Sequence, residues 1–67
     1  MARVYRKMYQ GHVISITPDT IYIDEMPIIH GIYAAFFYRF YASRATREDA
    51  WKLLEPYILE YLNNPTL

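Results

Sequence analysis

Cysteine is absent from this 67-residue chain, and glycine occurs only twice. The first absence excludes disulfides and thiolate zinc sites, two devices by which small domains compensate for a thin core. The second excludes a glycine-rich phosphate loop, because Gly11 and Gly31 stand alone. An excess of one charge is missing too: seven basic and seven acidic side chains cancel. A dedicated duplex-DNA binder is ordinarily basic, since phosphate contacts supply most of its affinity. No apolar run is long. The longest uncharged stretch, Met26 to Tyr38, has thirteen residues, against roughly 20 for a spanning helix. The first nine residues contain no apolar signal core. The expectation is a cytoplasmic protein with no membrane association.

Chemistry-bearing residues are equally sparse. Ser15 and Ser43 lack the glycines of a nucleophile elbow. His12, His30, Asp24 and Glu25 are the only candidates for a metal or acid–base site, and the two histidines, eighteen residues apart, match no ligand spacing. Asp24 and Glu25 are adjacent, so on a strand their side chains diverge. A turn histidine and a helix-entry histidine account for the pattern. No catalytic residue, metal or cofactor is expected.

What the chain does have is apolar and aromatic surface. At 54 % apolar residues it is not a disordered chain. Residues 2–9 alternate, with Val4, Arg6 and Met8 on one side and Tyr5, Lys7 and Tyr9 on the other, which reads as a strand. A tight turn at Gln10-Gly11 or Gly11-His12 leads to a second strand, His12–Thr17. Thr17-Pro18-Asp19-Thr20 suits a type I turn. A third strand, Thr20–Asp24, follows with Ile21 and Ile23 inward. Pro27 opens a helix at its first position, or else Pro27–Ile29 extends the sheet and the helix begins near Gly31. A helix over residues 31–43 is expected either way, with Asp24 and Glu25 near its positive end. A second helix starts after Thr46 as N-cap, with Glu48 and Asp49 in its first turn. Its apolar stripe is Ala50, Trp51, Leu54, Ile58, Tyr61 and Leu62, widened by Leu53 and Tyr57. Pro56 kinks it or divides it into two short helices. Asn63-Asn64-Pro65 ends it, and Thr66-Leu67 is a tail. The reading is one α+β domain over 1–67, a three-stranded antiparallel meander followed by two helices.

The first helix carries half of the aromatic residues of the chain and one charge, Arg39. A surface helix needs only one apolar stripe, so a helix apolar all round requires cover on every side. Tyr33, Ala34, Phe36, Phe37, Phe40 and Tyr41 are therefore the expected interface of a homodimer or higher oligomer, with aromatic rings supplying area at low entropic cost. Arg39, Arg44 and Arg47 cluster at the helix junction and form a candidate contact for an acidic partner. Arg39 must stack on a ring, reach water or pair with a carboxylate such as Glu48, Glu55 or Glu60. The function expected is that of a small regulatory interaction module, an adaptor, inhibitor or regulatory subunit.

The alternative is a nucleic-acid-binding regulator. If Val4 and Met8 face the core, then Tyr5, Lys7, Tyr9 and Tyr22 share the outer face of the sheet, where rings stack bases and the cation steers phosphate. The same N-terminal strand forms a sheet edge, open to strand addition or guarded by Arg3, Arg6 and Lys7.

Overall fold

A computed structural model describes residues 3–64, and the expected tail at Thr66-Leu67 lies outside them. Six elements follow in order: β1 (Tyr5–Tyr9), β2 (His12–Ile16), β3 (Thr20–Ile23), β4 (Met26–His30), α1 (Gly31–Ala42) and α2 (Arg47–Asn63). The strands form one antiparallel sheet in the order β1-β2-β3-β4, and the two helices pack against one face of it. The class is α+β as expected, but the meander has four strands rather than three.

The fourth strand escapes notice because its turn and its proline both disguise it. Asp24 and Glu25 form a two-residue turn with φ of 50° and 71°, a conformation that glycine or asparagine usually supplies. Asp24 offsets the strain with three bonds. Its backbone N–H donates to the Val13 carbonyl at 2.9 Å. Its carboxylate accepts the Val13 N–H at 2.9 Å and meets His12 Nδ1 at 2.5 Å. Pro27 then sits opposite Tyr22. It is tolerated because β4 is an edge strand, where one N–H is not needed for pairing. A bulge follows, so that Ile21 pairs with Ile29. This extension of the sheet also separates Asp24 and Glu25 from α1, whose first turn contains no acidic residue.

Strand passes to helix without a loop. Gly31 adopts φ +67°, and its N–H donates to the Asp19 carbonyl at 3.0 Å. A Cβ there would meet nothing within 4 Å, so the demand for glycine is conformational rather than steric.

The core draws on every layer. Ile14, Ile16, Ile21 and Ile23 from the sheet meet Ala34, Phe37 and Tyr41 of α1 and Ala50, Leu54 and Ile58 of α2. Each helix thus buries one stripe at three- or four-residue steps. Leu53 and Tyr57 do not widen the stripe of α2, since both are exposed. The helix runs unbroken through Pro56, which rules out two separate helices. Pro56 cannot donate to the Lys52 carbonyl, but both residues lie on the exposed side, where water can take the donor's place.

At the junction of the helices, α2 closes the end of α1. The Thr46 hydroxyl donates to the Phe40 carbonyl at 2.7 Å, and Arg47 Nε donates to the Tyr41 carbonyl at 2.8 Å. Thr46 stands at the N-cap position, yet it makes no side-chain cap bond to its own helix. Its hydroxyl serves the orphan carbonyls of α1 instead.

The strand β1 is turned over relative to expectation. Tyr9 pairs with His12, Lys7 with Ile14 and Tyr5 with Ile16, and directly paired residues share a face. Tyr5, Lys7 and Tyr9 therefore face the helices, while Arg6 and Met8 are exposed. The cause is the turn at Gln10-Gly11, with φ of 50° and 81°. Any two-residue turn pairs odd-numbered positions with even-numbered ones, so Met8 cannot join Ile14 and Ile16.

Candidate functional site

An extended apolar surface begins with the geometry of α1. Ala34, Phe37 and Tyr41 point into the core, so these three expected interface residues are enclosed by this chain itself. Four further side chains of α1 are exposed, Ile32 at 80 %, Tyr33 at 71 %, Phe36 at 48 % and Phe40 at 39 %, while Tyr38 is half-buried against Tyr5. Leu53 and Tyr57 of α2, at 58 % and 56 %, continue the same surface. The rings form a connected set. Phe36 lies 4.8 Å from Phe40 and 5.7 Å from Phe37, and Phe37 lies 6.1 Å from Tyr57.

Between α1, α2 and β4 the surface dips into an open groove of about 1180 Å³. Ile28, Ile29, Phe36, Leu53, Pro56 and Tyr57 supply apolar walls, and His30 and Lys52 are its polar members. Leu53 and Tyr57 lie four residues apart on one side of α2, beside the buried stripe. That offset marks a second apolar face in the sequence, although read alone it looks like the margin of the first.

The arginines separate. Arg47 is held within the fold. It donates to α1 carbonyls and its guanidinium carbon lies 5.3 Å from the ring centres of both Tyr5 and Tyr41. Two of its N–H donors are thus engaged within the chain, and Arg47 is half-buried. Arg39 and Arg44 are exposed. Neither pairs with a carboxylate among the described residues, where the one ion pair is His12 with Asp24. Glu55, one expected partner of Arg39, instead accepts the Tyr9 hydroxyl at 2.7 Å. That bond, with burial, raises the Tyr9 pKa above the ordinary phenol value.

The expected nucleic-acid face is divided between the two sides of the sheet. Tyr5 packs on Tyr38 and Tyr41 at 5.7 and 5.6 Å, Tyr9 packs on Trp51 at 5.2 Å, and the Lys7 ammonium lies 4.9 Å from the Trp51 ring. All three stand under the helices. Tyr22 pairs with Ser15 on the opposite face, so the four residues form no common platform.

His12 and Asp24 do meet, at 2.5 Å, but across the ends of two turns and exposed. No group of three or more metal-binding side chains exists among the described residues, and no helix there is long and apolar enough to cross a membrane. The bonds from His12 and from the Val13 N–H lower the Asp24 pKa. A carboxylate with a depressed pKa stabilises the fold above its unfolded value of ~3.9, and that contribution disappears as pH falls through the folded value. Asp24→Asn keeps a residue that accepts left-handed φ and abolishes the titration. Between about pH 5 and about pH 3 the melting temperature of the variant should therefore fall less than that of the parent, as thermal melts by circular dichroism will reveal.

No protein family, curated protein or solved structure matches this chain. Its function is to be argued from the site itself.

Proposed function

We propose that this chain is a small non-enzymatic protein–protein interaction module, an adaptor, inhibitor or regulatory subunit, that acts as a homo-oligomer joined through α1. One observation carries the reading: the connected, uncovered apolar surface of Ile32, Tyr33, Phe36, Phe40, Leu53 and Tyr57. With ~200 Å² for each full side chain, the exposed fractions leave on the order of 700 Å² of apolar surface. A typical monomer exposes a largest patch of only ~300–600 Å², and each side of a standard interface covers ~800 Å². A chain near the lower size limit for independent folding gains most from burying such a face. The one ion pair among the described residues, His12 with Asp24, closes a turn. Arg39 and Arg44 remain exposed for contacts with a second chain.

Sedimentation equilibrium at micromolar concentration tests the reading. The expected mass is twice the 8.1 kDa of the chain or a higher multiple. A well-folded species of 8.1 kDa under those conditions would overturn it.

A further inference from the structure

We infer that the free edge of β1 is a further docking surface, and that its occupant is an acidic, extended segment of a partner protein added to the sheet beside β1. The inference is independent of the oligomer reading, which concerns α1.

The backbone of β1 has a fixed phase. Tyr9 and His12 flank the two-residue turn, and residues so placed exchange both of their backbone hydrogen bonds. Alternation along the ladder then turns the N–H and C=O groups of Tyr5, Lys7 and Tyr9 toward β2, and those of Arg6 and Met8 away from the sheet. Nothing among the described residues bonds to these outward groups. Arg6 is exposed and Met8 is 66 % exposed, so a strand can approach. The opposite edge is closed. Ile23 and Met26 flank the turn there, so the same alternation aims the backbone of Pro27 outward, where it has no N–H to offer. The bulge beyond Pro27 also breaks the spacing of the remaining groups. Of the two edges, β1 alone keeps the regular donors and acceptors that strand addition uses.

Charge selects the occupant. Arg3, Arg6 and Lys7 line the edge, and no carboxylate occurs between residues 3 and 10. None of the three pairs with a carboxylate among the described residues. They flank both sides of the sheet. The Arg3 guanidinium carbon lies 5.0 Å from the Tyr5 ring centre and the Lys7 ammonium 4.9 Å from that of Trp51, both on the helix side. Arg6 pairs with Ser15 on the helix-free side. An added strand presents alternate side chains to both sides, at ~5 Å from their cross-strand neighbours. A second copy of β1 would bring its own three cations into the same sheet, and like charges across strands repel. The cations that guard the edge against its own copy therefore favour an acidic strand.

A labelled, end-capped peptide of seven alternating glutamate and valine residues is the probe, read by fluorescence anisotropy. It should bind the parent chain at low salt and weaken as salt is added. The lysine–valine counterpart should not bind. The glutamate peptide with every backbone amide methylated should not bind either, because it cannot donate to the Arg6 and Met8 carbonyls. Met8→Pro removes an outward donor that the fold does not use, as Pro27 does on β4. It should retain the native circular dichroism spectrum and bind about ten-fold more weakly or less, since one hydrogen bond is lost and its partner is left unpaired. Should Met8→Pro fail to fold, the methylated peptide decides the matter on the parent chain. Undiminished binding of the methylated peptide, or of the parent peptide to folded Met8→Pro, would overturn the inference and place the contact elsewhere on the surface. Equal binding of the lysine peptide, or no binding of the glutamate peptide at low salt, would overturn it as well. None of these outcomes alters the sedimentation result that tests association through α1.

Discussion

Phe37→Asp abolishes folding, while Phe36→Asp, one position earlier, leaves the chain folded and dissociates it. The two rings touch, at 5.7 Å between centres, but they point about 100° apart around α1. Phe37 is buried with Ala34 and Tyr41 against the isoleucines of the sheet. Removing a core phenylalanine ring costs ~3–5 kcal/mol, and a buried unpaired carboxylate adds to that. A core of this size rarely supplies more than ~3–5 kcal/mol in total, so nothing remains to hold the fold. Phe36 is half exposed. Aspartate there forfeits a ring contact with Phe40 and little helix propensity, since phenylalanine and aspartate rank close together, losses the fold can absorb. It also places a carboxylate in the centre of the apolar face, where a second copy would have to desolvate it.

Far-ultraviolet circular dichroism and sedimentation separate the outcomes. The expected pair of results is a disordered spectrum for Phe37→Asp and a native spectrum at 8.1 kDa for Phe36→Asp. Loss of structure in both variants would mean that the outer side of α1 is needed for the fold of the single chain. An undiminished oligomer of Phe36→Asp would move the interface away from α1.

The core of this protein is legible in its residues, and the site is legible in part. The alternation of Ile14, Ile16, Ile21 and Ile23, and the spacing of Ala50, Leu54 and Ile58, state the buried faces directly. Both helices fall close to where the periodicity puts them. The excess of apolar side chains on α1 is plain as well, but which of them face inward depends on where the sheet lies, and composition says nothing about that. Ala34, Phe37 and Tyr41 differ from Ile32, Phe36 and Phe40 only in phase around the helix. Strand β4 is hidden by its proline and by a turn of Asp24 and Glu25, which is favoured by bonds to His12 and Val13 on the neighbouring strand β2. The facing of β1 was available in principle. Its two alternate sides are similar in apolarity, so pattern alone cannot rank them, whereas the parity of the two-residue turn at Gln10-Gly11 decides the matter.

That parity has an energetic consequence. Tyr5 and Tyr22 would share an outer face if β1 presented Val4 and Met8 to the core, and their removal would then cost similar amounts. In the observed register they differ. Tyr5 lies among Tyr38, Tyr41 and Arg47, with the Arg3 guanidinium carbon 5.0 Å from its ring centre. Tyr22 lies on the helix-free face, opposite Ser15 and Pro27. Tyr5→Ala should cost ~3 kcal/mol, the lower end of the range for deleting a packed ring, because Tyr5 is only half buried. Tyr22→Ala should cost about 1 kcal/mol or less, as a substitution on an open sheet face. Tyr5→Phe should be near neutral, since the ring and not the hydroxyl makes these contacts. Urea unfolding midpoints at matched protein concentration provide the comparison, because association with a second copy makes the midpoint concentration-dependent. Equal losses for Tyr5→Ala and Tyr22→Ala would contradict the register of β1. They would also return Tyr5, Lys7 and Tyr9 to a face that a nucleic acid could reach.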